Sequence, residues 1–373
     1  MGILEQLLAI ARVTFAESIR QPVVAVVAIA GVLILILANP LSAFTLEDDQ
    51  RMLVEIGLSS IFVMGLLLAG LLATSVLTRE IENRTVLTVI SKPVPRVVLL
   101  LGKYLGVLAA IVLAYGFLTA TFMLVVRHGT MPTVATPYQA PVITFGLAAA
   151  LLAGGFAVFA NFFWGWSFGA TLVGVGTPLL LLAFAMALPF RADWSVPPTV
   201  PPPPPVPGAR VESLGWLVGK NLNWEVWKAA AAGGLALSVL TAIAVALSAR
   251  LGLVLTMVGT VAVFAVGMLS EWVLARRLAA LDALFARTGG AGHWWDGDHI
   301  TWWTCRSLQA VIPDFQLFFL ADAVNQRKTI TFLARTEGGD LSWYGAGLVA
   351  YAVILIAMAL GLGTILFQRR EVG

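Results

Sequence analysis

The sequence predicts an all-α integral membrane protein with about eight transmembrane helices. Two observations predict it. Of the 373 residues, 59% are apolar and only 12% are charged, with a mean hydropathy of +0.91, whereas soluble domains carry about 25% charge and about 45–50% apolar residues. So much apolar surface calls for lipid as the solvent. The second observation is that uncharged runs recur at roughly the 20-residue length a helix needs to cross a bilayer. The net charge of +3 says little by itself, because the placement of Lys and Arg, not their sum, orients a membrane protein. No nucleic-acid partner is expected.

The elements follow in chain order. Residues 1–20 alternate with helical period, with Ile3, Leu4, Leu7, Leu8, Ala11, Phe15 and Ile19 on one face and Glu5, Arg12, Val13 and Arg20 largely on the other. Such a helix lies in the membrane interface with its apolar side down, and its pattern is not that of a cleavable signal peptide. The first three spans are expected at 22–44, 56–78 and 104–126. From Gly129 to Phe190 there is no Asp, Glu, Lys or Arg, which is too long for one span and suits two, at 141–160 and 168–189. Their turn is Asn161–Ser167, where Trp164 and Trp166 fit a membrane–water boundary. The last three spans are expected at 229–249, ended by Arg250, at 251–270 and at 341–368. The single cysteine, Cys305, excludes an internal disulfide.

Orientation follows from the short loops. The stretch 45–55 holds Glu47, Asp48, Asp49 and Glu55 against Arg51 alone, whereas 78–103 holds Arg79, Arg84, Lys92, Arg96 and Lys103 against Glu80 and Glu82. Basic loops stay inside, so the first loop is expected outside, the second in the cytoplasm, and both termini, including Arg369 and Arg370, in the cytoplasm. Two longer outer segments remain. Residues 190–228 contain VPPTVPPPPPVPG, a stiff polyproline spacer. Residues 276–340 form a polar outer loop with short amphipathic helices. Its Pro313–Val324 stretch (PDFQLFFLADAV) is too short to span and is expected to dip into the outer leaflet.

The stretch with most chemical content is 77–106, LTREIENRTVLTVISKPVPRVVLLLGKYLG. Its start reads as a short amphipathic helix with Glu80, Glu82 and Arg84 as polar handles and Val86, Leu87, Val89 and Ile90 as an apolar patch. Lys92-Pro93-Val94-Pro95-Arg96 then breaks the helix, because proline lacks an N–H and restricts the residue before it. A protruding cytoplasmic helix of this kind is something a motor domain can push on.

This arrangement, with its acidic start, Thr85, the Ser-Lys-Pro-Val turn at 91–94, Arg96 and the Gly102-Lys103-Tyr104-Leu105-Gly106 run, resembles the coupling region of type-2 ABC transporter permeases. That family includes membrane subunits of copper-site maturation systems and multidrug exporters. Residues 1–20 are similar to the family's elbow helix, LFQRREV at 366–372 to its basic tail, and IPDFQLFFLADAVNQRKTI at 312–330 to the outer part before its last span. The resemblance implies the permease subunit of an exporter in the cell (inner) membrane. Glu80, Glu82, Arg84, Thr85, Leu87, Lys92, Pro93 and Arg96 would form its ATPase-coupling surface. It also implies a separate ABC ATP-binding subunit carrying ATP and Mg, and a second permease copy or homologue as dimer partner, all set in membrane lipid. Six spans per subunit are usual in the family, so the pair at 141–189 looks like an insertion. The alternative is a permease-like component of assembly, secretion or motility that moves no substrate.

The chain itself holds no expected cofactor and no expected enzyme. A P-loop needs GxxxxGK followed by Ser or Thr, so that backbone amides and a hydroxyl hold phosphate and magnesium. Gly215–Asn221 (GWLVGKN) has the wrong spacing, and Gly102-Lys103 is followed by Tyr. There is no GxSxG, no HExxH and no carboxylate pair within a span. His293, Asp296, Asp298 and His299 (HWWDGDH) carry zinc- or copper-type ligand atoms, but the run reads better as a hydrated Gly-rich loop with interfacial tryptophans.

Overall fold

The computed structural model describes residues 2–42, 49–82, 95–130, 138–200, 212–288, 296–320 and 341–368. Twelve α-helices lie among them: α1 (Ile3–Ile19), α2 (Pro22–Ser42), α3 (Asp49–Glu82), α4 (Arg96–His128), α5 (Ala140–Trp164), α6 (Phe168–Ala187), α7 (Leu214–Leu222), α8 (Trp224–Ser248), α9 (Leu253–Ser270), α10 (Arg276–Thr288), α11 (Gly297–Val311) and α12 (Leu341–Gln368). No strand occurs among the described residues. Eight stretches are long and apolar enough to cross a membrane. They fall on α2, α3, α4, α5, α6, α8, α9 and α12, so the chain is an all-α integral membrane protein.

Three helices form the centre. α4 runs through the bundle against α3 on one side and α8 on another, and α3 also packs on α8. Inside a membrane this association comes from close packing and interhelical hydrogen bonds rather than from expulsion of water. The sequence supplies both. Gly57 lies directly under the Phe122 ring, and Gly65 under Leu237. The small residues of α8 let Tyr115 enter, and its hydroxyl donates to the Ala230 carbonyl at 2.8 Å. Tyr115→Phe is expected to cost about 0.5–1.5 kcal/mol, the usual net worth of such a bond, read as a lower unfolding midpoint in detergent without change in helix content.

Around this centre sit α2, α6, α9 and α12, and α5 lies outermost, packed chiefly on α6. The α5–α6 turn is tight: Gly165 takes a left-handed conformation at φ +65°, the Trp166 N–H reaches back to the Ala160 carbonyl, and Asn161 Nδ2 donates to the Trp166 carbonyl at 2.6 Å. This is how a glycine closes a helix end. Phe162, Phe163, Trp164 and Trp166 stand exposed beside the turn, as aromatic residues do at a membrane boundary.

Several boundaries differ from the sequence expectation. α3 begins at Asp49 rather than at 56, because Arg51 and Glu55 pair at 2.8 Å one turn apart and carry the helix into the acidic stretch. α8 begins at Trp224 rather than at 229, entered through Asn223 at φ +48°. α9 does not stop at Ser270 but runs through a π-helical turn, Glu271–Ala275, into α10. The described part of the proline-rich segment is tied down: Arg191 pairs with Glu212 at 2.7 Å, and Phe190 and Trp194 pack with Phe145. Residues 201–211 lie outside the described residues.

The largest difference is at Pro313–Leu320. This stretch holds one 3-10 turn, Gln316–Phe318, and it packs into the protein, with Phe315 fully buried and Phe318 1% exposed. Phe319 meets Phe62 of α3 at 4.8 Å, and Phe315 meets Phe264 of α9 at 5.7 Å. Gln316 Nε2 donates to the Met268 carbonyl, the Tyr344 hydroxyl to the Leu317 carbonyl, and the Asp314 N–H to the Tyr351 hydroxyl. Partial burial holds the Asp314 carboxyl above its ordinary range, while its Oδ1 accepts the Gln316 N–H. The segment is thus a plug between helices.

Candidate functional site

Of the eight coupling residues expected from the sequence, Arg84, Thr85, Leu87, Lys92 and Pro93 lie outside the described residues. Glu80 and Glu82 belong to the last turn of α3, and Arg96 opens α4 at an exposed position. The frame around them is well defined. α3 and α4 pack on each other, so residues 83–95 join two neighbouring helices that run in opposite directions. Pro95 caps α4, and its carbonyl accepts the Leu99 N–H at 3.1 Å. A proline at this position loses nothing by lacking its own N–H.

The start of α4 is clasped by α1. A methyl group on Gly106 would come within 2.6 Å of the Ala11 carbonyl oxygen and 2.9 Å of the Phe15 backbone nitrogen. One on Gly102 would meet Ile10 at 2.8 Å and the Leu7 carbonyl oxygen at 3.3 Å. The Gly-Lys-Tyr-Leu-Gly run is therefore a small-xxx-small contact that brings two backbones together. The sequence reading quoted these residues without assigning them this role, although the four-residue spacing of the glycines was the available signal.

Two further sequence expectations change here. Lys103, counted in the sequence among the bases of the cytoplasmic loop 78–103, is 4% exposed, and Glu17 of α1 is the charge that acts on it. The face of α1 that is covered includes Thr14, Ser18 and Ile19, while Ile3, Leu4, Leu8 and Val13 stand exposed. α1 thus has one face for α4 and a separate apolar edge for lipid.

The same end of the bundle gathers other joints. Gln21, in the α1–α2 corner, donates to Ser75 Oγ of α3 at 2.5 Å. Gly363 of α12 lies against Ala246 of α8 and Leu100 of α4, and Arg250 Nε reaches the Leu366 carbonyl at 3.4 Å. A displacement of the α3–α4 ends would therefore be felt by α1, α8 and α12 together.

The two P-loop-like stretches lie within α7 and α4. Backbone N–H groups inside a helix are spent on the helix itself and cannot cradle phosphate. In the HWWDGDH run, His293 lies outside the described residues, Asp296 caps α11, Asp298 sits in its first turn, and the His299 ring stacks on Phe285 at 4.4 Å. Among the described residues no group of three or more His, Cys, Asp or Glu is placed to hold a metal. Replacing His293 and His299 together by Ala is expected to leave transport-linked activity at the parental level. Loss of activity that added zinc or copper restores would overturn this.

The eight apolar helices, with α1 clasping the base of α4 next to the α3–α4 connection, define a multi-pass membrane protein. Residues 8–188, a little under half of the chain, match the family model described as ABC-2 family transporter protein. Over that stretch the chain is similar to the ABC-2 transporter family, which is consistent with a type-2 ABC transporter permease. The matched stretch ends just past α6, so the α5–α6 hairpin lies inside it. No curated protein matches the sequence.

Proposed function

We propose that this chain is the membrane-spanning subunit of an ABC exporter in the cell (inner) membrane, driven by ATP hydrolysed on a separate cytoplasmic subunit that docks at residues 78–103. The observation that carries the reading is the family match over 8–188, which contains this segment whole. Two permease copies, or one copy and a homologue, would present two such segments to a pair of ATPases. Closure of the ATPases on ATP would push on the α3–α4 connection. The joints to α1, α8 and α12 make that push a movement of the bundle rather than of one loop.

The test is purification of the detergent-solubilised chain from its native membrane, with identification of what co-purifies. A co-purifying ABC ATPase whose turnover responds to the permease supports the reading. Its absence from preparations that remain folded would sink it. An ATPase that couples without any substrate flux would instead favour the assembly, secretion or motility alternative. Orientation is tested by cysteine labelling in a Cys305→Ala background: a cysteine at Glu82 is expected to stay unlabelled in intact cells.

A further inference from the structure

A groove of about 650 Å³ lies between α2, α4 and the α5–α6 hairpin, a size within the roughly 300–1,000 Å³ of small-molecule sites. Its walls are apolar over most of their length, with Ile29 and Leu33 of α2 on one side and Gly146 and Leu147 of α5 on the other. Ile29, Leu33 and Leu147 stand exposed along it, so the groove opens sideways to the lipid around the bundle. From Ile29 to Pro40 the α2 wall is about 16 Å long at 1.5 Å per residue. Spread over that length, the volume makes a slot about 7 Å across, narrower than the about 10–12 Å of a helix with its side chains. A hydrocarbon chain fits such a slot and a partner helix does not.

Polar groups collect at one end, where Asn39, His128 and Tyr138 line the groove, and they offer mostly acceptors. Asn39 turns its Nδ2 to the Gly129 carbonyl, and His128 Nδ1 lies 3.2 Å from the same oxygen. A carbonyl oxygen only accepts, so both nitrogens donate there. That leaves Asn39 Oδ1 and, in the neutral ring, His128 Nε2 as acceptors, and neither meets a donor among the described residues. Pro40 adds a third acceptor. It stands inside α2 and has no N–H for the Ile36 carbonyl one turn before it, and both residues line the groove. The hydroxyl of the exposed Tyr138 can donate or accept. Among the described residues no carboxylate, ammonium or guanidinium lines the groove. An apolar slot that ends in unsatisfied acceptors matches a chain whose head carries hydrogen-bond donors.

We infer that this groove binds one uncharged amphiphile from the surrounding bilayer, an apolar chain whose hydroxyl-bearing head donates to Asn39, His128 and the Ile36 carbonyl. The site stands apart from the α3–α4 connection and does not depend on how the protein couples to ATP. An acceptor left without a donor in apolar surroundings is costly, so the head supplies what the protein omits. The α5–α6 hairpin builds one wall of the slot.

The test uses the full chain, delipidated in mild detergent and titrated with monoolein, methyl oleate or oleylamine, with bound ligand counted by native mass spectrometry. The probes share one apolar chain and differ in the head, which is a dihydroxy ester, an ester with no donor, or an ammonium. The parent is expected to bind monoolein about tenfold more tightly than either of the others, the usual worth of one or two hydrogen bonds. The double variant Asn39→Leu with His128→Phe is expected to lose the preference over methyl oleate while binding methyl oleate as the parent does. Gly146→Phe puts a ring into the slot, where a Cβ meets only Leu124 at 3.6 Å, and is expected to weaken all the probes about tenfold or more. The comparison of probes on the parent decides the matter even where a variant does not fold. Equal binding of monoolein and methyl oleate by the parent would overturn the proposal, as would a preference for oleylamine. Undiminished binding by a folded Gly146→Phe protein, or an unchanged preference in a folded double variant, would do the same. So would efficient disulfide cross-linking of two copies through Leu147→Cys in a Cys305→Ala background, which would show a second copy seated on the groove.

Discussion

Leu87→Asp is expected to release the ATPase outright, with no co-purification and no permease-stimulated turnover, while membrane insertion and the helix bundle stay intact. Leu87 lies outside the described residues, but its place in the sequence is clear: it stands with Val86 and Ile90 in the apolar patch between Glu82 and the Lys92–Arg96 break. Interfaces concentrate their binding energy in apolar anchors at the centre and surround them with a polar rim. An aspartate at the centre would be an unpaired buried charge, which typically costs 3–5 kcal/mol when no partner compensates it. The comparison is the double reversal Glu82→Arg with Arg84→Glu. Rim charges act mainly on encounter and on salt dependence, so this variant is expected to weaken the complex less, and less still at high salt. Retention of the ATPase and its turnover by Leu87→Asp would mean that the segment is not the coupling surface.

Gly106→Leu is expected to produce the largest loss of stability in the described structure, about 3 kcal/mol, and to detach α1 from α4. The neighbours that its side chain would strike include backbone atoms of α1, the Ala11 carbonyl oxygen at 2.6 Å and the Phe15 nitrogen at 2.9 Å from the Cβ alone. A flexible side chain could swing away, but a helix backbone moves only as a whole. With α1 displaced, Lys103 would lose the covering that leaves it 4% exposed and the nearby Glu17 charge. Gly116→Ala is the control. It lies in the same helix with only Thr177 at 3.8 Å from an added Cβ, and it should be neutral or gain about 0.5–1 kcal/mol from replacing a helical glycine. Thermal unfolding of both variants in detergent, with cysteine accessibility at position 103 as a second readout, separates a local loss of α1 from general damage. If Gly106→Leu unfolds with the parent and keeps position 103 protected, the clasp does not hold the end of the bundle together.

The two variants act on different links of one chain of events. The first removes the proposed contact with the motor. The second leaves that surface untouched and loosens the joint through which its motion would reach α1. A Gly106→Leu protein that still binds the ATPase but no longer answers it would place the clasp in the transmission path.

The sequence alone determined the features that depend on the solvent around a helix. Hydrophobic length is a one-dimensional property, so the runs near 22–44, 104–126 and 341–368 could be read directly as helices Pro22–Ser42, Arg96–His128 and Leu341–Gln368. The uncharged stretch from Gly129 to Phe190 resolved into Ala140–Trp164 and Phe168–Ala187 because only two spans fit its length. The family resemblance was legible for the same reason, carried by a contiguous run of residues. What depends on which surface meets which could be decided only by the tertiary structure. Phe315 and Phe318 look like residues for lipid until the helices around them are in place, and then they fill the space between α3, α9 and α12. Lys103 reads as a charge of the cytoplasmic loop because lysine is costly to bury, yet the close approach allowed by Gly102 and Gly106 covers it with α1. The groove between α2, α4 and α5, lined at one end by Asn39, His128 and Tyr138, was invisible for the same physical reason. Its polar end is assembled from residues near 39, 128 and 138, and a cavity is a property of the distance between helices, which no local pattern of hydrophobicity encodes.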